Sequence, residues 1–215
     1  MLAPQAWEEF GSLVAGFGDR SSAPPFPAVS VRQVHGRAIA VCDNLEGREH
    51  GGMEADALVA TRPGVLVAVK TADCVPVLLF STSSTTPCWV AAVHSGWRGT
   101  VADIVGAVVA DAGQRGHAAQ SLRAAIGPSI RECCYVVGDD VADLFRRERF
   151  AVSAGVSEVR VDLARANRDL LMRAGVQPEH IEVCAPCTRC EAHRYHSHRA
   201  VPGGGRQLSW IGWRG

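Results

Sequence analysis

The feature that most constrains the fold is a series of short apolar runs rich in β-branched residues. They are Ala28–Val34, Ala38–Cys42, Ala57–Ala60, Val65–Lys70, Val75–Phe80 and Cys88–Val93. Several are apolar almost without interruption, which is typical of strands that are covered on both faces of a sheet. The first half of the chain is therefore predicted to supply buried β-strands.

Helical patterns are interspersed with these strands. Helices are predicted at the N-terminus, after His94-Ser-Gly-Trp-Arg-Gly-Thr100 with Thr100 and Asp103 as a capping box, at Asp139–Arg147 and at Asp162–Ala174. Further strands are predicted at Leu122–Ile126, His180–Cys184 and Leu208–Trp213. The elements do not follow a strict βαβ alternation. We therefore predict an α+β fold, a single domain over residues 1–215 with mixed β-sheets flanked by helices.

Composition narrows the classes of partner. Lys plus Arg and Asp plus Glu number 22 each, so no global field favours nucleic acid or an anionic membrane. No run approaches the roughly 20 apolar residues that span a bilayer. The N-terminus lacks the basic start of a signal peptide, so we expect a cytoplasmic protein whose eight cysteines are thiols or metal ligands. A small-molecule substrate is the expected partner, and the oligomeric state stays open.

Three segments place a metal-capable side chain at the edge of a predicted strand. His35 and His94 end strand-like runs, and Cys74 begins one. Two imidazoles and one thiolate suit Zn²⁺, and three protein ligands leave a fourth position open for chemistry. Asp73 is a candidate acceptor for orienting a ligand histidine. The spacing of these residues matches no local zinc motif, so three unrelated strand-end residues are the alternative interpretation.

The sequences of these segments resemble those of the YfiH/YlmD family, also called the laccase-domain or polyphenol oxidase family. The resemblance rests on RQVHG, ADALVA, TADCVPVLL, AAVHSGWRGT, AAIGPSIRECCYVVG and CTRCEAHRYHSHRA followed by GGGRQLSW, and it runs from about Val31 to Trp210. It implies a YfiH-like fold with His35, Cys74 and His94 as the metal ligands. It also implies phosphorolysis of adenosine, inosine, guanosine and methylthioadenosine, and deamination of adenosine.

Several further residues are candidates for binding the substrate or phosphate. Ser95, Arg98 and the backbone donors of the helix that follows them form an expected anion site. Arg20, as the remnant of a shortened N-terminal loop, and Arg199 in the tail motif are added as substrate contacts, and Gln33 is a candidate catalytic or supporting residue.

The cysteine-rich tail offers a second candidate metal site. Cys184, Cys187, Cys190 and His193 follow one another at C-x2-C-x2-C-x2-H spacing, as in a zinc knuckle, although free thiols are the alternative. The same stretch also spells the H-x-E and P-C-x-x-C pieces of zinc nucleobase deaminases. These pieces lie too close together for that fold, so the match is interpreted as coincidence. Cys133 and Cys134 are expected to be core or turn residues.

Two other functions stay open at this point. Copper is a second candidate metal, and a copper polyphenol oxidase is suggested by the family's older name. Such oxidases use repeated His-x-His pairs, whereas this chain has eight histidines and one such pair, His196-Ser-His198. The other alternative is an amidase that edits a peptidoglycan precursor, in which Cys74 acts as a nucleophile with a histidine as base.

Overall fold

A computed structural model describes residues 1–83, 88–155 and 158–215. The strands are β1 Leu13–Phe17, β2 Ser30–Arg32, β3 Ile39–Val41, β4 Glu49–Glu54, β5 Ala57–Ala60, β6 Leu66–Thr71, β7 Val75–Ser81, β8 Val90–Ser95, β9 Leu122–Ile126, β10 Val136–Val137, β11 Val152–Ala154, β12 Val159–Val161, β13 Ile181–Val183 and β14 Gln207–Trp213. The α-helices of the described residues are α1 Trp97–Val101, α2 Ile104–Gln114, α3 Asp139–Arg147 and α4 Leu163–Arg173.

The centre of the fold is a six-stranded mixed sheet in the order β13-β9-β7-β8-β5-β3. Its outer pairs, β13 with β9 and β3 with β5, are parallel, and its inner pairs are antiparallel. A second, antiparallel sheet has the order β1-β14-β6, and the short strands β2 and β4 pair with each other in parallel. This arrangement confirms the predicted fold class of mixed sheets flanked by helices.

Alternate residues of the central strands pack into two separate cores. Val77 and Leu79 of β7 belong to a cluster with residues of α2, α3 and α4, whereas Leu78 and Phe80 pack towards β6 and β14. The central sheet is thus covered by helices on one face and by the second sheet on the other. Coverage of both faces explains why its strands are apolar without alternation.

Helices α3 and α4 have residues at their ends that favour a helix terminus. Helix α3 begins and ends where the sequence predicts, with two aspartates in its first turn and two arginines in its last turn, as the helix dipole favours. Asp162 accepts a hydrogen bond from Arg165 N and caps α4. No helix in the described part of the chain has the length and apolar character needed to cross a bilayer.

Two local predictions are wrong. The Thr100–Asp103 capping box does not form, because Asp103 itself caps α2 by accepting from Gly106 N, while the Thr100 hydroxyl donates to the carbonyl oxygen of Gly96, the residue before α1. The N-terminal amphipathic helix is also absent. Its residues form a short 3-10 turn at Gln5–Trp7 and then strand β1, because pairing with β14 satisfies the backbone of Leu13–Phe17.

Candidate metal centre

Three elements bring the expected ligands together at one end of the central sheet. His35 lies just after β2, Cys74 lies just before β7, and His94 lies in β8 opposite Pro76 of β7. Their ligand atoms all lie within 4.8 Å of one another. The two imidazole rings meet edge to face with centroids 4.8 Å apart. Residues that are 39 and 20 positions apart in the chain therefore form one cluster.

The backbone around this cluster adopts conformations that are rare for ordinary residues. His35 has φ of 61° and Asp73, next to Cys74, has φ of 85°. Positive φ costs a non-glycine residue free energy, and such residues concentrate at functional sites. A Cβ at Gly96 would meet Cys74 Sγ at 3.0 Å and His35 Cδ2 at 3.3 Å. Glycine at this position therefore leaves room for the sulfur and the imidazole.

A buried carboxylate, Asp56, holds two of the three ligands. Its Oδ1 lies 2.8 Å from His94 Nδ1 and accepts from His35 N at 2.9 Å, and its Oδ2 accepts from Gly36 N at 2.7 Å. Burial raises the pKa of Asp56, but these donors outweigh burial, and the net pKa is lowered. Asp56 thus occupies Nδ1 of His94 and leaves its Nε2 as the ligand atom.

The cluster also perturbs the pKa values of its own members. Burial raises the pKa of the Cys74 thiol, but hydrogen bonds from His35 and His94 lower it below its ordinary value. For His94, burial lowers the pKa, and hydrogen bonds to Asp56 and Cys74 raise it above its ordinary value. The site therefore stabilises a thiolate, which is the form of cysteine that binds metal.

These residues fit a metal ion with nitrogen and sulfur ligands. Two imidazoles and a thiolate match the catalytic zinc pattern of three protein ligands, and the spread of their ligand atoms is compatible with bonds of about 2.0–2.3 Å to a common centre. A carboxylate that accepts from the second ring nitrogen, as Asp56 does from His94 Nδ1, is a common partner of metal-binding histidines. The same donor set also suits copper.

An open cleft of about 580 Å³ lies over the three ligands. This volume is within the range of small-molecule sites. Four cationic side chains and two carboxylates line the cleft: Arg32, Lys70, Arg199, Arg206, Glu49 and Asp73. Tyr135 forms part of the wall, and burial raises the pKa of its hydroxyl to about 12, so the phenol is neutral at physiological pH.

The family model of the multi-copper polyphenol oxidoreductase laccases matches residues 17–214. The chain belongs to this family. It is 37% identical over 201 residues to a protein named purine nucleoside phosphorylase YlmD from Geobacillus stearothermophilus, covering 86% of this chain and 72% of that protein. It is 35% identical over 185 residues to a protein named adenosine deaminase RL5 from an unknown prokaryotic organism, covering 80% of this chain and 70% of that protein.

Solved structures of this laccase-like family share the fold. The crystal structure of a hypothetical protein, YfiH, from Bacillus licheniformis matches with a TM-score of 0.85 at 29% identity, covering 96% of this chain and 95% of that one. The crystal structure of YlmD from Geobacillus stearothermophilus matches with a TM-score of 0.80 at 34% identity, covering 89% and 75% respectively. The sequence-based resemblance to the YfiH/YlmD family is thereby confirmed.

Three of the other expected site residues do lie at the cleft. Gln33 exchanges two hydrogen bonds with the backbone of Lys70, which fixes the segment that leads to His35. Arg199 lines the cleft, with its guanidinium 5.1 Å from the Tyr135 ring centre and donating to Val136 O. Asp73 also lines the cleft, but it does not orient a histidine.

The orienting role belongs instead to Asp56, which sequence reasoning does not single out. Asp73 accepts from Thr188 Oγ1 and from Arg199 N, each at 2.7 Å, and so fastens the tail of the chain to the residue before Cys74. One signal for Asp56 exists in the sequence, because an aspartate directly before the fully apolar run Ala57–Ala60 is expected to be buried. A buried carboxylate needs partners.

Ser95 and Arg98, which are expected to form an anion site, do not line this cleft. Ser95 is fully buried, and its hydroxyl is hydrogen-bonded to that of Thr100. Arg98 is exposed and stacks on Trp97 at 4.3 Å, outside the residues that line the cleft. The cationic residues of the cleft come from other elements.

Arg20 lies outside the residues that line the cleft. Its Nε donates to the carbonyl oxygens of Ala192 and Tyr195, which ties the N-terminal loop to the tail.

The zinc knuckle predicted in the tail is not formed from the four residues expected. Cys184 Sγ donates to Glu182, and neither Cys184 nor His193 joins a ligand cluster in the described residues. Glu182 accepts from the backbone of the N-terminal turn, which agrees with the deaminase-like match being coincidence.

Proposed function

We propose that this protein is a zinc-dependent purine nucleoside enzyme. The proposed reactions are phosphorolysis of adenosine, inosine, guanosine and methylthioadenosine, and deamination of adenosine. The observation that carries the proposal is the His35–Cys74–His94 cluster at the base of a cleft of nucleoside size. The names of the similar proteins support both reaction types.

The charge of the cleft supports phosphorolysis. In this reaction a phosphate oxygen attacks C1′ of the ribose, the bond from C1′ to the purine nitrogen breaks, and the purine leaves with a proton. Cations that hold phosphate beside the ribose stabilise the charge of the attacking group. Arg199 and Arg206 line the cleft from the tail. Arg32 and Lys70 also line it, but they are ion-paired with Glu54 and Glu49. The proposal therefore places phosphate at Arg199 and Arg206.

The metal ligands support deamination as well. When bound, zinc supplies Lewis acidity to an oxygen in its open fourth position. The chain's own contribution is to hold His94 in one tautomer through Asp56 and to keep Cys74 as a thiolate. The neutral Tyr135 hydroxyl on the cleft wall is a hydrogen-bond donor for the base or the ribose. In deamination a water oxygen adds to C6, the bond from C6 to the amino nitrogen breaks, and ammonia leaves.

The proposal is tested with purified protein of measured metal content, incubated with adenosine with and without phosphate. Adenine that forms only with phosphate indicates phosphorolysis, and inosine indicates deamination. Both products should disappear in His35→Ala and Cys74→Ala and persist in Cys88→Ser, a half-buried cysteine outside the cleft. Zinc-loaded protein that forms neither product would contradict the proposal, and copper as the native metal would contradict its zinc component.

One observation favours a second candidate, an amidase acting on a peptidoglycan precursor. Cys74 Sγ lies within 4.8 Å of a ring nitrogen of His94, and His94 Nδ1 is hydrogen-bonded to Asp56. This chain of groups has the order nucleophile, base and orienting carboxylate. A thiolate that binds metal is a poor free nucleophile, so metal analysis separates the two functions. Hydrolysis of an aminoacyl-muramyl nucleotide by metal-free protein, with no turnover of nucleosides, would establish the amidase.

A further inference from the structure

Four cysteines from two distant segments meet on the surface beside the cleft. Cys133 and Cys134 lie in the turn after β9, and Cys187 and Cys190 lie in the tail after β13. Their four sulfur atoms all lie within 4.8 Å of one another. Cys187 is buried, Cys134 is half-buried, and Cys133 and Cys190 are exposed, so the cluster is open to solvent on one side.

The spacing of these sulfur atoms fits a tetrahedral ion. A tetrahedral zinc site with Zn–S bonds of about 2.3 Å places its sulfur atoms about 3.8 Å apart. Cys190 Sγ lies 3.7 Å from Cys133 Sγ and 3.5 Å from Cys134 Sγ. These separations exceed the S–S bond of a disulfide, which is about 2.05 Å, so the arrangement is that of neighbouring thiols. A set of four sulfur ligands in this geometry selects zinc or iron.

The surroundings of the cluster also suit a charged tetrathiolate. Arg189 directly precedes Cys190, and its guanidinium donates to Cys134 O at 3.4 Å, which places a cation beside the cluster. Four thiolates around Zn²⁺ carry a net charge of −2, which a nearby cation stabilises.

We propose that Cys133, Cys134, Cys187 and Cys190 bind a second, structural Zn²⁺ that fastens the tail of the chain to the wall of the cleft. The site differs from the predicted knuckle, because only Cys187 and Cys190 come from the tail motif. It has four protein ligands and no open position, as in structural zinc sites.

The position of this site explains what the ion would stabilise. Cys134 directly precedes Tyr135 in the cleft wall, and Cys187 directly precedes Thr188, which donates to Asp73 beside Cys74. Between the two loops, Ser129 N donates to Pro186 O, and Thr188 N donates to Ser129 O. A tetrathiolate ion would therefore hold the tail segment that carries Arg199 at the substrate cleft. The proposal does not depend on which substrate the cleft binds.

The test is the zinc content of the purified protein and of matched variants after dialysis, measured by elemental analysis. Cys187→Ser/Cys190→Ser is expected to contain about one zinc per chain less than the unmodified protein. Cys184→Ser and His193→Ala, which alter tail residues outside the cluster, are expected to keep it. Because Cys133 is exposed, Cys133→Ser removes one ligand without disturbing the core, and it serves as the second variant if the double variant does not fold.

A second measurement identifies the ligands of the remaining ion. In His35→Ala/Cys74→Ala protein, X-ray absorption at the zinc edge is expected to show four sulfur neighbours at about 2.3 Å. This readout separates the second site from the proposed nucleoside activity, which this variant lacks. The proposal is overturned if the cysteine variants retain all their zinc, if the ion is iron, or if native mass spectrometry shows that these cysteines form disulfides.

Discussion

Replacing Asp56 with asparagine removes the charge that holds two metal ligands while it keeps the size of the side chain. Asp56 is fully buried and accepts from His94 Nδ1, His35 N and Gly36 N at 2.7–2.9 Å. Asparagine keeps one acceptor oxygen, and its NH₂ group faces N–H donors that then lack a partner. A hydrogen bond to a charged group contributes about 1.5–3 kcal/mol to stability.

We therefore expect Asp56→Asn to lower the free energy of unfolding by about 3 kcal/mol, which lowers Tm by about 6–12 °C for a chain of this size. Loss of a second-sphere partner typically weakens metal binding 10–100-fold, or by about 1.4–2.7 kcal/mol. Thermal unfolding in the presence of chelator measures the stability change. Competition with a chromophoric chelator measures the zinc affinity.

The matched control is Asp43→Asn, because Asp43 accepts from Thr61 N at 2.7 Å and from Thr61 Oγ1 at 2.6 Å, outside the residues that line the cleft. This control is expected to lose stability while its affinity for zinc at the His35–Cys74–His94 centre stays unchanged. If Asp56→Asn binds zinc as tightly as the unmodified protein, Asp56 does not position the ligands and the reasoning is refuted.

Three further predictions follow from single contacts. Gly96→Ala places a Cβ 3.0 Å from Cys74 Sγ, so we expect a folded protein whose zinc affinity falls about tenfold or more, and unchanged affinity would refute the close approach. Leu78→Ala empties a fully buried position between the two sheets, and denaturant unfolding should show a loss of about 2–5 kcal/mol; a loss below about 1 kcal/mol would contradict the layered core. Arg206→Gln removes a cation from the cleft, so steady-state kinetics should show a KM for phosphate raised about tenfold with little change in kcat, and an unchanged KM would place phosphate elsewhere.

The parts of the fold that follow local rules were predictable from the sequence. Strands β5 and β7 are apolar on both faces, and α3 carries acidic and basic ends, so their positions agree with prediction. Strand β4 was missed because Glu49–Glu54 is polar, contains two adjacent glycines and is largely exposed, so its strand conformation depends on pairing with β2. Strand β1 was predicted as a helix because its pairing with β14 joins residues at opposite ends of the sequence.

The candidate sites also divide into residues that local motifs predict and residues that only the fold brings together. His35, Cys74 and His94 were found through motifs that each carry one ligand, although only the fold brings them into contact. The cysteine cluster was missed because local spacing pointed to Cys184 and His193, whereas the true neighbours of Cys187 and Cys190 lie more than fifty residues earlier, at positions 133 and 134. Long-range convergence of this kind leaves no periodic signal in a single sequence.

The central claim is that the His35–Cys74–His94 centre must hold zinc for nucleoside turnover. The most direct measurement is the rate of adenine and inosine release from adenosine and phosphate by metal-stripped protein as zinc is added back. The predicted result is no turnover without metal. As zinc is added, the rate should recover and reach a plateau when the added zinc equals the amount by which the unmodified protein exceeds His35→Ala protein. Turnover by metal-stripped protein at the rate of the zinc-loaded protein would contradict the claim.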